Sequence, residues 1–204
     1  MTKSVLSCFM FLMTFVGLNA QNNDYVLEIE KHRAKENADF KNPEKSPLND
    51  KEREEFEGHE YYPIDPNYRV IADFVATPNA TPFPLVTSKG TNKIYKKLGD
   101  LNFTLKGQPL SLEVYQELMG FTGSDVPVYL FLPIIDSTTG ISTYDAGRYM
   151  HYEGIPEGAK WVVDFNKAYN PYCAYSDNYS CPVVPQPNHL PVAIEAGVKG
   201  GYKK

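Results

Sequence analysis

The sequence predicts a mainly β protein, an antiparallel β-sandwich or open barrel with one or two short N-terminal helices. Three observations predict it. No stretch after Phe56 carries a long helical period. From Gly58 onward, short alternating or continuous apolar runs recur between turn-forming residues. The 204-residue chain also holds 15 Tyr and 11 Phe, side chains that pack well on pleated surfaces.

The first twenty residues read as a leader. Lys3 supplies the positive start, Val5 to Val16 the apolar run, and Leu18-Asn19-Ala20 the small-residue cleavage site before Gln21. The run is shorter than the roughly 20 residues a spanning helix needs. The sequence therefore predicts a signal peptide at 1–20, no transmembrane segment after its removal, and an exported protein, periplasmic or extracellular. Residues 21–204 are expected to form one β-rich domain with its core at about 46–197. The formal net charge is −5, and −6 once Lys3 leaves with the leader. Such a balance argues against a nucleic-acid partner, which needs a basic face.

A helix is expected at about 24–37, capped by Asp24. Tyr25, Ile29 and His32 form its dry side, while Glu28, Glu30, Lys31, Arg33, Lys35 and Glu36 stay wet. Asn49 is placed to cap a second short helix ending at Phe56. Tyr68 to Ala76 alternates like a strand. Leu101, Phe103 and Leu105 alternate, a turn follows, and Leu110, Leu112 and Val114 alternate again, which is a hairpin. Pro127 to Pro133 is a continuous apolar run, as in a strand buried on both faces. Asp136 to Gly140 is a loop. Further strand-like segments lie at Thr143–Tyr152, Lys160–Asn166 and Val192–Glu195.

The densest chemistry lies near the C-terminal end. If the strands flanking the Glu153–Ala159 loop pair with each other, Arg148 faces Asp164, with Asn166 on the same face. That is either a cross-strand ion pair fixing register or a polar ligand site, because arginine forks onto carboxylates and phosphates. Asn170 and Tyr175 lie in the stretch Asn170–Pro191, which holds five of the 16 prolines and is expected to wrap a sheet edge. Arg148, Asp164, Asn166, Asn170 and Tyr175 are thus the candidate binding residues, for an unidentified small polar or anionic ligand. Cys173 and Cys181, eight apart in an exported chain, are expected to form a disulfide.

The four histidines show no metal-ligand spacing, so no metal site is expected. Nucleophile-elbow, Walker and dinucleotide motifs are absent, and the cofactor is left unspecified. Two readings follow. One is an exported binding or structural module with a polar site around Arg148 and Asp164. The other is a small exported enzyme, a hydrolase using Asp164 as base and Arg148 as anion anchor.

From about Ser46 to Gly197 the chain resembles the bacterial family catalogued as domain of unknown function 1684. The matching pieces are Ser46-Pro47-Leu48, the run Tyr62 to Arg69, Leu132-Pro133 with Asp136 and Thr138, and Thr143-Tyr144 with Gly147-Arg148-Tyr149. They continue with Asp164-Phe165-Asn166, Ala168 to Pro171, Cys173 to Ser176, and Cys181-Pro182. The chain departs from the pattern at His151 and Val198, where acidic residues are expected. The resemblance implies a shared fold and a shared site, and no reaction.

Overall fold

The computed structural model describes residues 4–118 and 129–200, with side chains from residue 23 onward. Pro127 and Val128, in the predicted fifth strand, and Met1 to Lys3 of the leader lie outside the described residues. Helix α1 runs Ser4–Lys41 and α2 runs Asp50–Glu55. The strands are β1 (Arg69–Ala76), β2 (Phe83–Val86), β3 (Asn92–Leu105), β4 (Gln108–Glu117), β5 (Tyr129–Ile134), β6 (Arg148–Glu153) and β7 (Lys160–Asp164). They form one antiparallel sheet in the order β6-β5-β4-β3-β1-β7, with β2 beside the first half of β3. The sheet curls into an open half-barrel.

Local chemistry explains the elements. Asn49 caps α2 in a full capping box with Glu52, each side chain accepting from the other's backbone N–H. Lys106 and Gly107, both at positive φ, make the tight turn between β3 and β4. A bulge between Lys97 and Gly99 bends β3. Below it β3 pairs with β2, and above it with β1. A Cβ on Gly99 would fall 2.4 Å from both the Phe74 ring and the Val75 carbonyl, so only glycine fits the bend.

The core fills the inside of the curl. Leu101, Leu112, Val114, Leu130, Leu132, Ile134, Trp161, Val163 and Phe165 are all essentially inaccessible. Each such side chain contributes about 1.5–3 kcal/mol by leaving water. Residues 190–196 close the curl: Leu190, Val192, Ile194 and Ala196 pack into the same cluster. The expected strand at Val192–Glu195 is instead an irregular strap. Its apolar alternation is real, but it lies across the core rather than along a neighbouring strand. Asn188 locks its start. The side chain accepts from Glu113 N at 2.8 Å and donates to Glu113 O at 2.9 Å and Pro133 O at 2.8 Å. It thereby bridges β4 and β5, which share only two paired positions.

Two expectations change. Helix α1 is longer than 24–37, and Asp24 lies inside it rather than at its cap. And β6 does not pair with β7. Instead β6 pairs with β5, matching Ile134 to Arg148, and β7 pairs with β1, matching Arg69 to Asp164. The 154–159 segment is no hairpin loop but a bridge between opposite edges of the curled sheet. The edges meet through side chains: Tyr152 donates its hydroxyl to Val162 O at 2.9 Å and packs edge-on against Trp161.

Candidate functional site

The curl separates the five sequence-predicted residues into three places. Arg148 is wholly enclosed. Its Nη1 donates to Ala196 O at 2.5 Å and Val198 O at 3.2 Å. Its Nη2 donates to Asp136 Oδ2 and Ile194 O, both at 2.8 Å. The other oxygen of Asp136 accepts from the backbone and hydroxyl of Thr138 and from Ile194 N. Arg148 is therefore the clip that fastens the strap to the sheet. Its carboxylate is Asp136, not Asp164.

Asp164 and Asn166 stay together but face α1. Tyr25 donates its hydroxyl to Asp164 Oδ1 at 2.9 Å, and Asn166 Nδ2 donates to that hydroxyl, also at 2.9 Å. Asn166 also brackets Asp65, accepting from its N–H and donating to its carbonyl. Arg69 Nε stands 3.8 Å from Asp164 and its guanidinium lies over the Tyr25 ring. Lys167 pairs with Glu28 beside them. This group seats the helix on the end of β7.

Asn170 and Tyr175 belong to the third place, a cavity of about 350 Å³. The Ala168–Pro171 segment reaches it by pairing with the free edge of β6, through two hydrogen bonds between Tyr149 and Tyr169 at 2.8 and 2.9 Å. Residues 181–183 reach it by pairing with the end of β2. The Tyr149 hydroxyl donates to Pro182 O and ties the two together. Residues 181–183 of the proline-rich stretch thus lie along the end of β2, whereas the β6 edge is covered by Tyr169, just before the stretch begins.

Helix α1 forms the remaining wall. Phe40 packs with Leu48, Phe56, Ala174 and Tyr175 in a small second core, with its ring edge-on to Tyr175 at 4.8 Å and to His59 at 4.3 Å. Tyr175 hydroxyl and His59 Nδ1 are 3.2 Å apart. One turn back from Phe40, Glu36 faces the same space. Among the described residues its carboxylate has no hydrogen bond or ion pair, and burial pushes it up to about 7 from an ordinary 4.5. Burial also holds His59 down to about 4, hence neutral. Asn170 is 3% exposed. Its Nδ2 donates to Gly200 O at 2.9 Å, while its Oδ1 has no partner.

Cys181 lines this cavity and Cys173 lies behind it. Both are free thiols in this structure, so the expected disulfide is not formed in it. They touch nonetheless, with Cys173 N–H donating to Cys181 Sγ at 3.2 Å. The hydrogen bond from Cys181 holds the Cys173 thiol down to about 7, with help from the Tyr144 hydroxyl.

Sequence reasoning missed Asp136 and Glu36. Asp136 was assigned to a loop, and nothing in one sequence links it to Arg148. Glu36 carried a usable signal: the dry stripe Tyr25, Ile29, His32 continues at helical spacing through Glu36 to Phe40. Ending the helix at 37 placed Glu36 on the wet side.

These features define a class: a curled antiparallel half-barrel, closed by a C-terminal strap, with an aromatic cavity at its edge. Residues 54–199 match the model of the family described as Protein of unknown function (DUF1684), and the chain belongs to that family. It is similar to the solution NMR structure of an uncharacterized protein from Haloarcula marismortui, at 32% identity and a TM-score of 0.69. The match covers 91% of this chain and 100% of that one. No curated protein matches the sequence. The motif pieces around Tyr149, Tyr169-Asn170-Pro171, Tyr175 and Cys181-Pro182 all converge on the cavity, as do the two departures from the pattern, His151 and Val198.

Proposed function

We propose that this chain is an exported protein that binds a small polar organic molecule in the cavity beneath the last turns of α1. The observation that carries the reading is a cavity walled by aromatic rings and faced by Glu36, a partly buried carboxylate with no hydrogen bond or ion pair among the described residues. Partial desolvation of a carboxylate is costly, and a group perturbed in this way inside a cleft marks a place where a ligand can complete the site. Pockets that bind small molecules have this makeup, apolar walls with a few converging polar groups. The hydrolytic reading has less support, because Arg148 and Asp164 are each committed to separate structural partners.

Export rests on the leader-like residues 1–20, and in an oxidising compartment the touching Cys173 and Cys181 would join as a disulfide. The binding reading is tested by a thermal-shift screen of residues 21–204 against sugars, carboxylates, phosphates, amines and divalent metals. A binder should raise the melting temperature of the wild type more than that of the Tyr169→Ala variant, and one whose donor reaches Asn170 more than that of Asn170→Ala. A ligand that shifts all three alike binds elsewhere and sinks the reading.

A further inference from the structure

The cavity's chemistry selects among ligand classes. Among the described residues, two acceptors of the lining have no hydrogen-bond partner: the partly buried Glu36 carboxylate, and Asn170 Oδ1 on a side chain that is almost fully buried. Its charged donors are already engaged. Lys93, a lining residue, pairs with Glu117 at 3.1 Å. The second acid of the lining, Asp39, is neutralised by Lys45 at 2.7 Å. His59 is kept uncharged by burial. Arg148, the cation that an anionic ligand would need, is closed inside the core. What remains open is one negative charge, one carbonyl-type acceptor and the faces and edges of Tyr149, Tyr169, Tyr172 and Tyr175.

Aromatic rings carry a negative face that attracts cations, and a carboxylate beside them adds full charge. Resting on the binding reading above, we infer that the ligand is an organic ammonium ion carrying a hydroxyl or N–H donor, with its cationic head at Glu36 and the tyrosine rings and its donor at Asn170 Oδ1. The cavity volume of about 350 Å³ suits a compact molecule.

The test compares two molecules of one shape. Choline and 3,3-dimethylbutan-1-ol differ in replacing a charged nitrogen by a neutral carbon. Residues 21–204 are titrated with each by calorimetry at about pH 8, where Glu36 is ionised. Choline should bind at least about tenfold tighter than the alcohol, the range expected for a partly desolvated cation over aromatic rings. Glu36→Gln, checked for folding by circular dichroism, should lose most of that preference. Tetramethylammonium, which lacks the hydroxyl, should be indifferent to Asn170→Ala, whereas choline should weaken. Equal binding of choline and the alcohol by wild type, or a preference that survives Glu36→Gln, overturns the ammonium assignment. If sugars or carboxylates bind instead and are lost in Tyr169→Ala, the cavity still binds and only the ligand class is wrong. If no probe of any class binds, the binding reading falls as well.

Discussion

Arg148 and Asp136 meet at 2.8 Å with neither side chain exposed to solvent. Three backbone carbonyls of residues 194–198 accept its other Nη hydrogen bonds, and Nε has no partner among the described residues. A buried pair of this kind adds little net stability over an apolar replacement, but removing one member strands the other. Arg148→Ala or Asp136→Ala should therefore cost about 3–5 kcal/mol in urea denaturation. The double variant should cost much less than the sum. The control is Asp164, which shares no partner with Arg148. Asp164→Ala should cost about 1–3 kcal/mol through the lost Tyr25 and Asn166 bonds, and should add to Arg148→Ala within about 0.5 kcal/mol. A strong coupling between 148 and 164 would contradict the observed register.

Glu36 predicts a pH signature. Its native pKa, about 7, lies above the ordinary 4.5 because burial disfavours the charge. The folded state thus prefers the protonated acid. That contribution is complete below 4.5 and is lost as pH rises through about 7. Without ligand, Glu36→Gln should be more stable than wild type by about 2 kcal/mol at about pH 8, and no different at about pH 4. Equal melting temperatures at the higher pH would count against a desolvated carboxylate.

His59 acts in the opposite sense. Burial depresses it to about 4 from 6.5. Its neutral form favours the fold fully above 6.5, and that contribution is lost as pH falls through about 4. His59→Phe should flatten the acid limb of the stability profile between those values. An unchanged limb in the variant would show that His59 is not its source.

Gly197 sits at φ +77, and a Cβ there would lie 2.5 Å from Ala168 O and 2.8 Å from Phe165 O. Both atoms are backbone and cannot step aside cheaply. Gly197→Ala should cost more than about 2 kcal/mol, well beyond the usual left-handed penalty of about 1 kcal/mol. Gly90, at φ +73 with open space around it, is the comparison. Its alanine variant should lose only the smaller amount by thermal denaturation.

Processing and oxidation can be read from one mass spectrum of the exported protein. The chain should begin at or within a few residues of Gln21 and be two hydrogens lighter than its reduced form. Closing so short a loop should stabilise the fold by about 2–3 kcal/mol. Recovery of intact Met1, or of two alkylatable thiols, would refute the corresponding half.

The strands were legible because each carries its own period. Leu101, Phe103 and Leu105 announce β3 without help from the rest of the chain. The approach of the proline-rich stretch to a sheet edge, at the end of β2, was also legible, since prolines cannot continue a ladder. The β3–β4 hairpin was legible as well, but the neighbours of β6 and β7 were not. Parity pairs Arg148 with Asp164 only if the intervening loop is a hairpin. Whether it is depends on the curl of the whole sheet, set by the Lys97/Gly99 bulge and by twist. The cavity was legible as a set of motif pieces but not as a place, because Glu36 reaches it from more than a hundred residues away.

The clip at Arg148 also orders events in time. The carbonyls that accept from its Nη atoms come from residues 194–198, some fifty positions later than the arginine itself. While the chain is being synthesised, Arg148 has no finished berth until that segment emerges, so the apolar inside of the curl stays uncovered as well. Premature closure would bury a bare cation. Closing the curl and enclosing the guanidinium are therefore a single event, set by the arrival of residues 194–198.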